Sequence, residues 1–535
     1  MKRIINILVV VAYLFACMTS CDDFLQKDPT SVPSQSVFWK KKSDFQSALA
    51  GVYSVLYKSP FSERLARLEG MTDNTIQSDL SIILGDLTPN TKDFVTDIYT
   101  NCYVGIVRLH TVLHQLDIYE GTDISSSEEQ FMRAQCHAFR AYFYTWLYQN
   151  YREVPLVTDL LTVENMYQPK ASREEIRKQI IEDYDYAIAN LPDKLYTDAD
   201  MVGRFTASAA KGLKARFLLF DAYDNNGNAD KSKMSEIVQL LKSINKYSVA
   251  DLMPRTRDNF LNAKQSKSTE IMFSIKYMRP NLTHNMDQYY GGWYIEMPTQ
   301  DFVDSFECTD GLKWSESPLA VKPDVSILYD RNVDAETKWQ EREKYFMNRD
   351  ERLVDAVVNE GTTNYVRDGW EDKLCIVHHG TTVTGYCVKK LIQPMDTPAD
   401  YGTISDQDVV ILRYAHILLM LAEAENEANG PTSTALDALN AVRTRSHQPA
   451  IASGISQSEL RERIRNEWRV ETCFEGLRYY QLKRWKLMES CVNGAEDPAF
   501  KGYIKVYKPA FEYFPIPQTE IDKAGGILVQ DPNYQ

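Results

Sequence analysis

The chain has 535 residues, 44% of them hydrophobic, which is enough for a large core and allows either several domains or one helical body. Lys and Arg number 60 against 74 Asp and Glu, so the formal net charge of −14 would repel a phosphate backbone. This balance excludes nucleic acid as a partner.

The N-terminus has the pattern of an export signal. Lys2 and Arg3 precede an apolar run shorter than the roughly 20 residues that a membrane-spanning helix needs. The run closes with Met18-Thr-Ser-Cys21, which resembles a bacterial lipobox. Cleavage before Cys21 would leave this cysteine as an N-terminus carrying several acyl chains, palmitate among them. One acyl chain holds a protein to a membrane only weakly, whereas several hold it firmly. An ordinary secreted protein with a chance cysteine is the alternative.

Seven cysteines follow Cys21 at irregular spacing, which is not the pattern of a disulfide framework. We expect most of them to be small core residues. Cys375 and Cys387 flank strand-like runs, and whether they pair is left open.

The first half of the mature chain has the apolar periodicity of helical hairpins. Small residues alternate with large ones in 134–144 and 207–220, as in helices of the tetratricopeptide kind that approach each other closely, although no clean 34-residue period is present. The predicted helices cover 43–57, 92–118, 127–150, 172–190, 204–224 and 231–245.

The character of the sequence changes between about 250 and 405, where prolines separate short β-like runs such as 271–277 and 375–377. A long, aromatic-rich stretch without helical periodicity is typical of functional loops. Helices are predicted again at 407–429, 433–446 and 458–489, before an extended tail. The predicted segments are a signal peptide (1–20), a lipidated tether (21–42), a helical N-terminal region (43–250), a loop-rich ligand-binding insertion (251–405) and a helical C-terminal region (406–535).

Seven groups of residues, spread over the mature chain, together resemble the SusD/RagB family. His416 stands where the family more often has glutamate, and Asp531 where asparagine is usual. The matching stretches are Cys21-Asp-Asp-Phe-Leu25 with Phe38-Trp39 and Ala48-Leu-Ala-Gly-Val-Tyr53, Arg140-Ala-Tyr-Phe-Tyr144 with Tyr151-Arg-Glu-Val-Pro155, Gly203-Arg-Phe-Thr206 with Lys214-Ala-Arg216, Leu412-Arg413 through Ala422-Glu423-Ala424, Asn440-Ala-Val-Arg443, Glu467 through Phe474-Glu-Gly-Leu-Arg478 to Lys483-Arg-Trp485, and Pro515-Ile-Pro517 with Gln530-Asp-Pro-Asn-Tyr534.

This resemblance implies a mostly α fold, a superhelix of four tetratricopeptide-like helix pairs with the loop and short-strand insertion on one face. It also implies a lipoprotein at the outer surface of the outer membrane that captures a glycan and delivers it to a SusC-like TonB-dependent β-barrel transporter. A peptide-binding, RagB-like member of the same family would share every scaffold motif and is the first alternative.

The most site-like segment is 288–294, which places Tyr289, Tyr290, Trp293 and Tyr294 around a glycine pair within the insertion. Sugar faces stack on aromatic rings, so we predict a glycan platform here, with Trp293 as its first residue. The alternative is that these rings belong to the core.

Further candidates are Asp73 and Asn74, whose polar side chains could hold sugar hydroxyls but equally suit a turn, and Trp314. The common catalytic motifs are missing from the sequence, and the prediction is a binding protein rather than an enzyme. A glycoside hydrolase, which needs only two suitably spaced carboxylates, is the less favoured alternative. No resident cofactor or metal is predicted, and a supporting calcium ion is left open.

The C-terminal motif carries Glu467, Glu471 and Glu475 at i+4 spacing, followed by Arg478 and Arg484. We expect a ladder of carboxylates and guanidiniums along one helix, with Arg413 and Glu423 in a similar role. These groups are predicted to fix the scaffold and not to perform chemistry.

Overall fold

A computed structural model of the chain describes most of the sequence after residue 37. The predicted signal peptide, Cys21 and Cys375 lie outside these residues, so neither lipidation nor the pairing of Cys375 with Cys387 is addressed. The described residues are 38–77, 84–92, 94–194, 196, 198, 201–244, 251–330, 332–359, 364–367, 370–373, 382–395 and 399–535.

The N-terminal half consists of long helices that pack against their neighbours in the chain, as predicted, and their ends agree with the prediction to within a few residues. A 3₁₀ turn over Ser54–Tyr57 follows the first helix, and another covers Leu65–Met71. The helices are α1 (Lys42–Tyr53), α2 (Phe94–Asp117), α3 (Ser126–Asn150), α4 (Arg173–Asn190), α5 (Ala207–Asp221) and α6 (Lys231–Lys242). None of the described helices is long and apolar enough to cross a membrane.

Local sequence explains where these helices begin and how closely they pack. Ser125 and Ser172 cap α3 and α4, each in a capping box with the glutamate three residues later. Gly105 of α2 lies where a β-carbon would be 2.2 Å from the ring of Phe143 in α3, so glycine is what allows this close approach. In the alternating segment 207–220, Gly212 lies where a β-carbon would be 2.6 Å from Leu412 and 2.9 Å from Ile417, so a small residue there allows close packing, as expected.

The insertion contains only short elements within its described residues. The described strands pair antiparallel in twos. Strand β1 (Thr75–Gln77) of the N-terminal region pairs with β3, strand β8 (Val409–Arg413) of the C-terminal region pairs with β2, and β4 pairs with β7 and β5 with β6. The elements of the insertion are a 3₁₀ turn (Thr256–Phe260), α7 (Asn262–Gln265), β2 (Ile271–Ile275), α8 (Met286–Gly291), β3 (Glu296–Pro298), α9 (Gln300–Asp304), α10 (Val325–Leu328), α11 (Ala335–Glu343), a 3₁₀ turn (Lys344–Phe346), α12 (Glu351–Ala356), β4 (Val357–Asn359), β5 (Asn364–Arg367), β6 (Trp370–Lys373) and β7 (Tyr386–Val388).

The C-terminal region returns to helices but differs from the prediction at two places. The start of the predicted helix 407–429 is strand β8 (Val409–Arg413), because its β-branched run pairs with β2. The predicted helix 458–489 is broken after Glu471, where Phe474 and Gly476 have φ of 62° and 71°. The elements are α13 (Tyr414–Asn429), α14 (Ser433–Arg445), α15 (Gln457–Glu471), α16 (Arg478–Arg484), α17 (Met488–Cys491), a 3₁₀ turn (Pro509–Glu512), α18 (Gln518–Lys523) and a final 3₁₀ turn (Pro532–Tyr534).

The charged residues of the C-terminal motif do not form a ladder along one helix, so that part of the prediction is wrong. Arg413, with no exposed surface, contacts Glu270, Glu471 and Glu475, while Arg484 pairs with Glu423. The carboxylates reach across to other elements because the chain turns after Glu471. We call the central group the buried ion network, and its members are Arg352, Lys390, Arg413, Arg445, Glu270, Glu467, Glu471 and Glu475.

His416 joins this network as a neutral side chain. Burial lowers the pKa of His416 to about 3, and its Nε2 lies 2.9 Å from Glu475 Oε2. Arg216 donates to Nδ1 at 2.9 Å, which leaves the ring proton on Nε2 to be donated to the carboxylate. The departure from glutamate at this position is thus a matter of packing within the scaffold, as expected.

Candidate ligand-binding site

The segment 288–294 forms the end of helix α8 and the turn that follows it. The backbone N–H groups of Gly292 and Trp293 both donate to the carbonyl of Gln288, at 3.0 and 2.7 Å, and Tyr294 has a left-handed φ of 52°. A β-carbon on Gly292 would lie 2.5 Å from the carbonyl oxygen of Ala399. The glycine therefore serves close packing against a second loop, and this packing holds Trp293 in place.

Trp293 projects at the surface between two tyrosines. Its side chain is 46% exposed, and its ring centroid lies 5.6 Å from Tyr289 and 5.4 Å from Tyr401, which is 87% exposed. The planes of Trp293 and Tyr401 meet at 66°, so the two rings present faces in different directions. We call Tyr289, Trp293 and Tyr401 the aromatic platform.

The loop that carries Tyr401 is tied to the start of α8. His284 and Ser405 exchange two backbone hydrogen bonds of 2.9 Å, and the Ser405 hydroxyl donates to Asp287 at 2.6 Å. Within the loop, Asp400 accepts from the N–H of Gly402 and from Thr403, which closes a tight turn under Tyr401. Sequence reasoning missed Tyr401, although an aromatic beside a glycine in the insertion was the signal that singled out Trp293.

Of the other predicted rings, Tyr289 lies mostly below the surface and Tyr290 is in the core. Tyr289 is 8% exposed, and its hydroxyl accepts from Arg64, whose guanidinium lies 5.3 Å from the ring centroid. Tyr290 is fully buried and donates to the carbonyl of Glu63, while Tyr294 is 9% exposed. Tyr290 has no face that a sugar could reach, which agrees with the alternative that it belongs to the core, so we leave it out of the platform. Tyr289 is as buried as Tyr294 but is kept because its ring packs against Trp293, and Tyr294 stays a prediction.

Asp73 and Asn74 are engaged by protein groups and not presented to solvent. Asp73 accepts two hydrogen bonds from Arg478, at 2.9 and 2.7 Å, and pairs with Arg469. These guanidiniums hold the pKa of Asp73 well below its usual range against the opposing effect of burial. Asn74 is fully buried and donates to Glu69 at 2.7 Å. Both residues join the early turn to the C-terminal helices, and we leave them out of the site.

Trp314 packs on Tyr345, with ring centroids 5.2 Å apart. Arg349 and Lys322 approach the indole at 5.7 and 5.9 Å from the centroid. This half-buried ring is part of the local packing of the insertion.

Two carboxylates close to the platform in sequence, Asp287 and Asp400, both hold local structure. Asp287 is 2% exposed, burial raises its pKa, and it accepts from Ser405 and from the N–H of Gln393. Asp400 belongs to the turn under Tyr401. Among the described residues, no group of three or more His, Cys, Asp or Glu side chains is arranged to hold a metal ion.

Comparisons with known proteins agree with this architecture. A family model described as "SusD family" matches residues 257–534, and one described as "Starch-binding associating with outer membrane" matches residues 23–219. A SusD-like protein of Formosa agariphila is 24% identical over 515 residues, which cover 90% of this chain and 92% of that protein.

Solved structures show the same fold. A SusD-like protein from Bacteroides fragilis superposes with a TM-score of 0.75 at 24% identity, covering 95% of this chain and all of that one. A SusD-like carbohydrate-binding protein from the same species gives a TM-score of 0.74 at 21% identity, covering 93% of this chain and all of that one. A laminarin-binding SusD-like protein gives a TM-score of 0.64 at 21% identity and covers 92% and 100% of the two chains. The SusD family model alone spans more than half of the sequence, and the chain belongs to this family.

Proposed function

We propose that the protein is a cell-surface lipoprotein that binds a glycan on the aromatic platform and delivers it to a SusC-like TonB-dependent transporter, without making or breaking a bond. The observation that supports a glycan as the ligand is the exposed pair of rings, Trp293 and Tyr401, whose backbone is held by hydrogen bonds and close packing. Large apolar rings held at the surface have no packing role of their own, whereas a sugar ring can cover each face.

The geometry supports a glycan in preference to a peptide. The two rings stand about 5 Å apart at a steep angle, which suits the faces of sugar units within one oligosaccharide. A peptide-binding protein would be expected to offer an elongated groove with unpaired strand edges or apolar pockets beside the rings. The names of two comparison proteins, which refer to carbohydrate and laminarin, favour the same ligand class.

The first prediction concerns Trp293→Ala. Removing a central aromatic of a binding site typically costs about 2 kcal/mol or more, which is roughly a thirtyfold loss of affinity. We expect this loss in calorimetry of the chain from Asp22 against a panel of polysaccharides, including starch and laminarin, with peptides as a second panel. Tyr401→Ala should lower the affinity for the same ligand.

Tyr167→Ala serves as the control, because this ring is 41% exposed but lies outside the platform. Its glycan affinity should equal that of the wild type. Binding of peptides only, or glycan binding that survives both Trp293→Ala and Tyr401→Ala, would disprove the platform and favour the RagB-like alternative. Release of shortened sugars by the purified protein would favour a hydrolase.

The second prediction concerns the anchor. Cys21→Ala removes the thiol to which the acyl chains would be attached, so the protein should move from the outer-membrane fraction to the soluble fraction of the cell. Purified soluble Cys21→Ala protein should bind glycan as the wild type does, while uptake of that glycan by cells should fall. Membrane association that does not depend on Cys21 would contradict the lipidation, and unchanged uptake would contradict delivery by an anchored protein.

A further inference from the structure

A groove of about 570 Å³ lies between helix α11 of the insertion, the residues that precede β7 and the loop after α17 in the C-terminal region. Its lining includes the side chains of Lys338, Arg342 and Lys501 together with the rings of Tyr329 and Phe500. We call these five residues the basic groove. Its volume is within the range of small-ligand sites in proteins.

The basic groove gathers positive charge in a chain whose formal net charge is −14. Lys338 and Arg342 stand four residues apart on α11, so they share one face of that helix and repel each other. Lys501 adds a third cation from a distant part of the sequence, and no carboxylate belongs to the described lining of the groove. This arrangement is unfavourable for the free protein and suits an anion.

Arg342 is the central group of the arrangement. It is 9% exposed, its guanidinium lies 5.5 Å from the ring centroid of Tyr386, and a β-carbon on Gly385 would lie 2.1 Å from its Cζ. Glycine at 385, with φ of 81°, thus leaves the space that the guanidinium occupies. Within the part of the chain that the structure describes, the side chain is held in place by packing and not by an acceptor.

Most deeply buried arginines of this protein are paired, and Arg342 differs from them. Arg352 and Arg413 each contact two or more carboxylates, whereas the guanidinium of Arg342 has no ion pair or hydrogen bond with any described residue. Asp497 feels the charge of Arg342 but accepts its hydrogen bonds from the N–H groups of Gln300 and Ala499, both at 2.8 Å. A mostly buried guanidinium without a carboxylate is costly unless a ligand supplies one.

We propose that the basic groove binds an anionic group of the glycan, a uronic acid carboxylate or a sulfate ester. A guanidinium offers parallel N–H donors that match the oxygens of either group, and the two lysines add charge around it. Tyr329 and Phe500 supply rings for the sugar that carries the anion. The inference rests on the proposed glycan-binding function for the nature of the ligand, but it does not require the aromatic platform.

Arg342→Met tests the proposal, because methionine keeps an apolar stem of similar length and removes the charge. The probes are oligogalacturonate and its methyl ester, and a sulfated galactan oligosaccharide and its desulfated form, measured by calorimetry at two salt concentrations. We expect one acidic series to bind at least about tenfold more tightly than its neutral counterpart, and Arg342→Met to remove that preference. Which series binds identifies carboxylate or sulfate.

Two further variants guard against a folding defect in Arg342→Met. Lys344→Met removes a nearby cation that is paired with Glu341 and does not line the groove, so affinity should not change. The double variant Lys338→Gln, Lys501→Gln leaves the packing of Arg342 intact and should weaken the acidic probe severalfold, with a smaller salt dependence.

The proposal is wrong if neither acidic series binds better than its neutral form, or if the preference survives both Arg342→Met and the double variant. Trp293→Ala separates this result from the proposed function. If Trp293→Ala has no effect on any probe while Arg342→Met removes binding of the acidic probe, the platform proposal is wrong and the proposal for the basic groove is supported. If Trp293→Ala weakens binding of acidic and neutral probes alike and Arg342→Met changes nothing, the platform is supported and the proposal for the basic groove is wrong.

Discussion

Arg413→Met is expected to lower the free energy of unfolding by about 3–5 kcal/mol at pH 7, because removing one partner of a buried ion pair leaves the others uncompensated. Arg413 has no exposed surface and donates to Glu270 and Glu471 at 2.7 Å and to Glu475 at 2.6 Å. Methionine would fill much of the volume but leave three buried carboxylates with fewer cations. Urea unfolding followed by circular dichroism measures the difference.

Arg133→Met is the matched control for this prediction. Arg133 also makes two hydrogen bonds to one carboxylate, that of Glu129, and pairs with Asp117, but these two carboxylates are 41% and 60% exposed. Exposed pairs contribute about 1 kcal/mol or less, so this variant should unfold almost as the wild type does. Equal losses in the two variants would mean that burial of the network has no special weight in the stability of the scaffold.

Glu69→Gln is expected to stabilise the protein in alkaline solution. Glu69 is fully buried, and burial raises its pKa from 4.5 to about 7, although Asn74 donates to one of its oxygens. Between these two pH values the unfolded chain loses the proton that the folded protein keeps, so folding stability falls as the pH rises toward 7 and is lowest above it. Glutamine keeps the shape and the hydrogen bond from Asn74 and carries no charge.

The gain from Glu69→Gln should therefore be absent near pH 4 and should reach on the order of 3 kcal/mol at pH 8. Urea unfolding of both proteins at a series of pH values checks this difference. Glu316→Gln, at an exposed carboxylate whose side chain is 58% accessible, should have no effect at any of these pH values. A Glu69→Gln variant that is less stable than the wild type at pH 8 would show that the ionised carboxylate is the favoured form.

Much of the fold was predictable because helices of this length have a local signal. The apolar period and the capping serines place α3 and α4 to within one residue of their observed ends. The break after Glu471 was not predictable in this way, because its residues have good helical periodicity. The turn is accompanied by a tertiary contact, because Gly476 packs against Leu65, more than 400 residues away in sequence.

The candidate site was predictable in part. Trp293 stood out from the sequence as an aromatic beside glycines and is exposed in the structure. Tyr290, which is next to Gly291, has a similar sequence environment but is buried. The difference arises because Tyr290 lies within α8, on the side that packs on the core, whereas Trp293 lies in the turn after it. A helix of six residues is too short to show an apolar periodicity, so the sequence does not identify which of its side chains face the core.

The sequence by itself determined that the chain is mostly helical, because helical periodicity is a property of neighbouring residues. It also determined the resemblance to SusD-like proteins and the structural role of the C-terminal charges, because the motifs and their order can be compared without a structure. Only the tertiary structure decided which charges pair, that Asp73 joins Arg478, and that Tyr401 meets Trp293. It also decided that Arg342, Lys338 and Lys501 line one groove. The physical reason is that ion pairs, ring contacts and grooves act across a few ångströms of space between residues that can be more than a hundred positions apart in the chain.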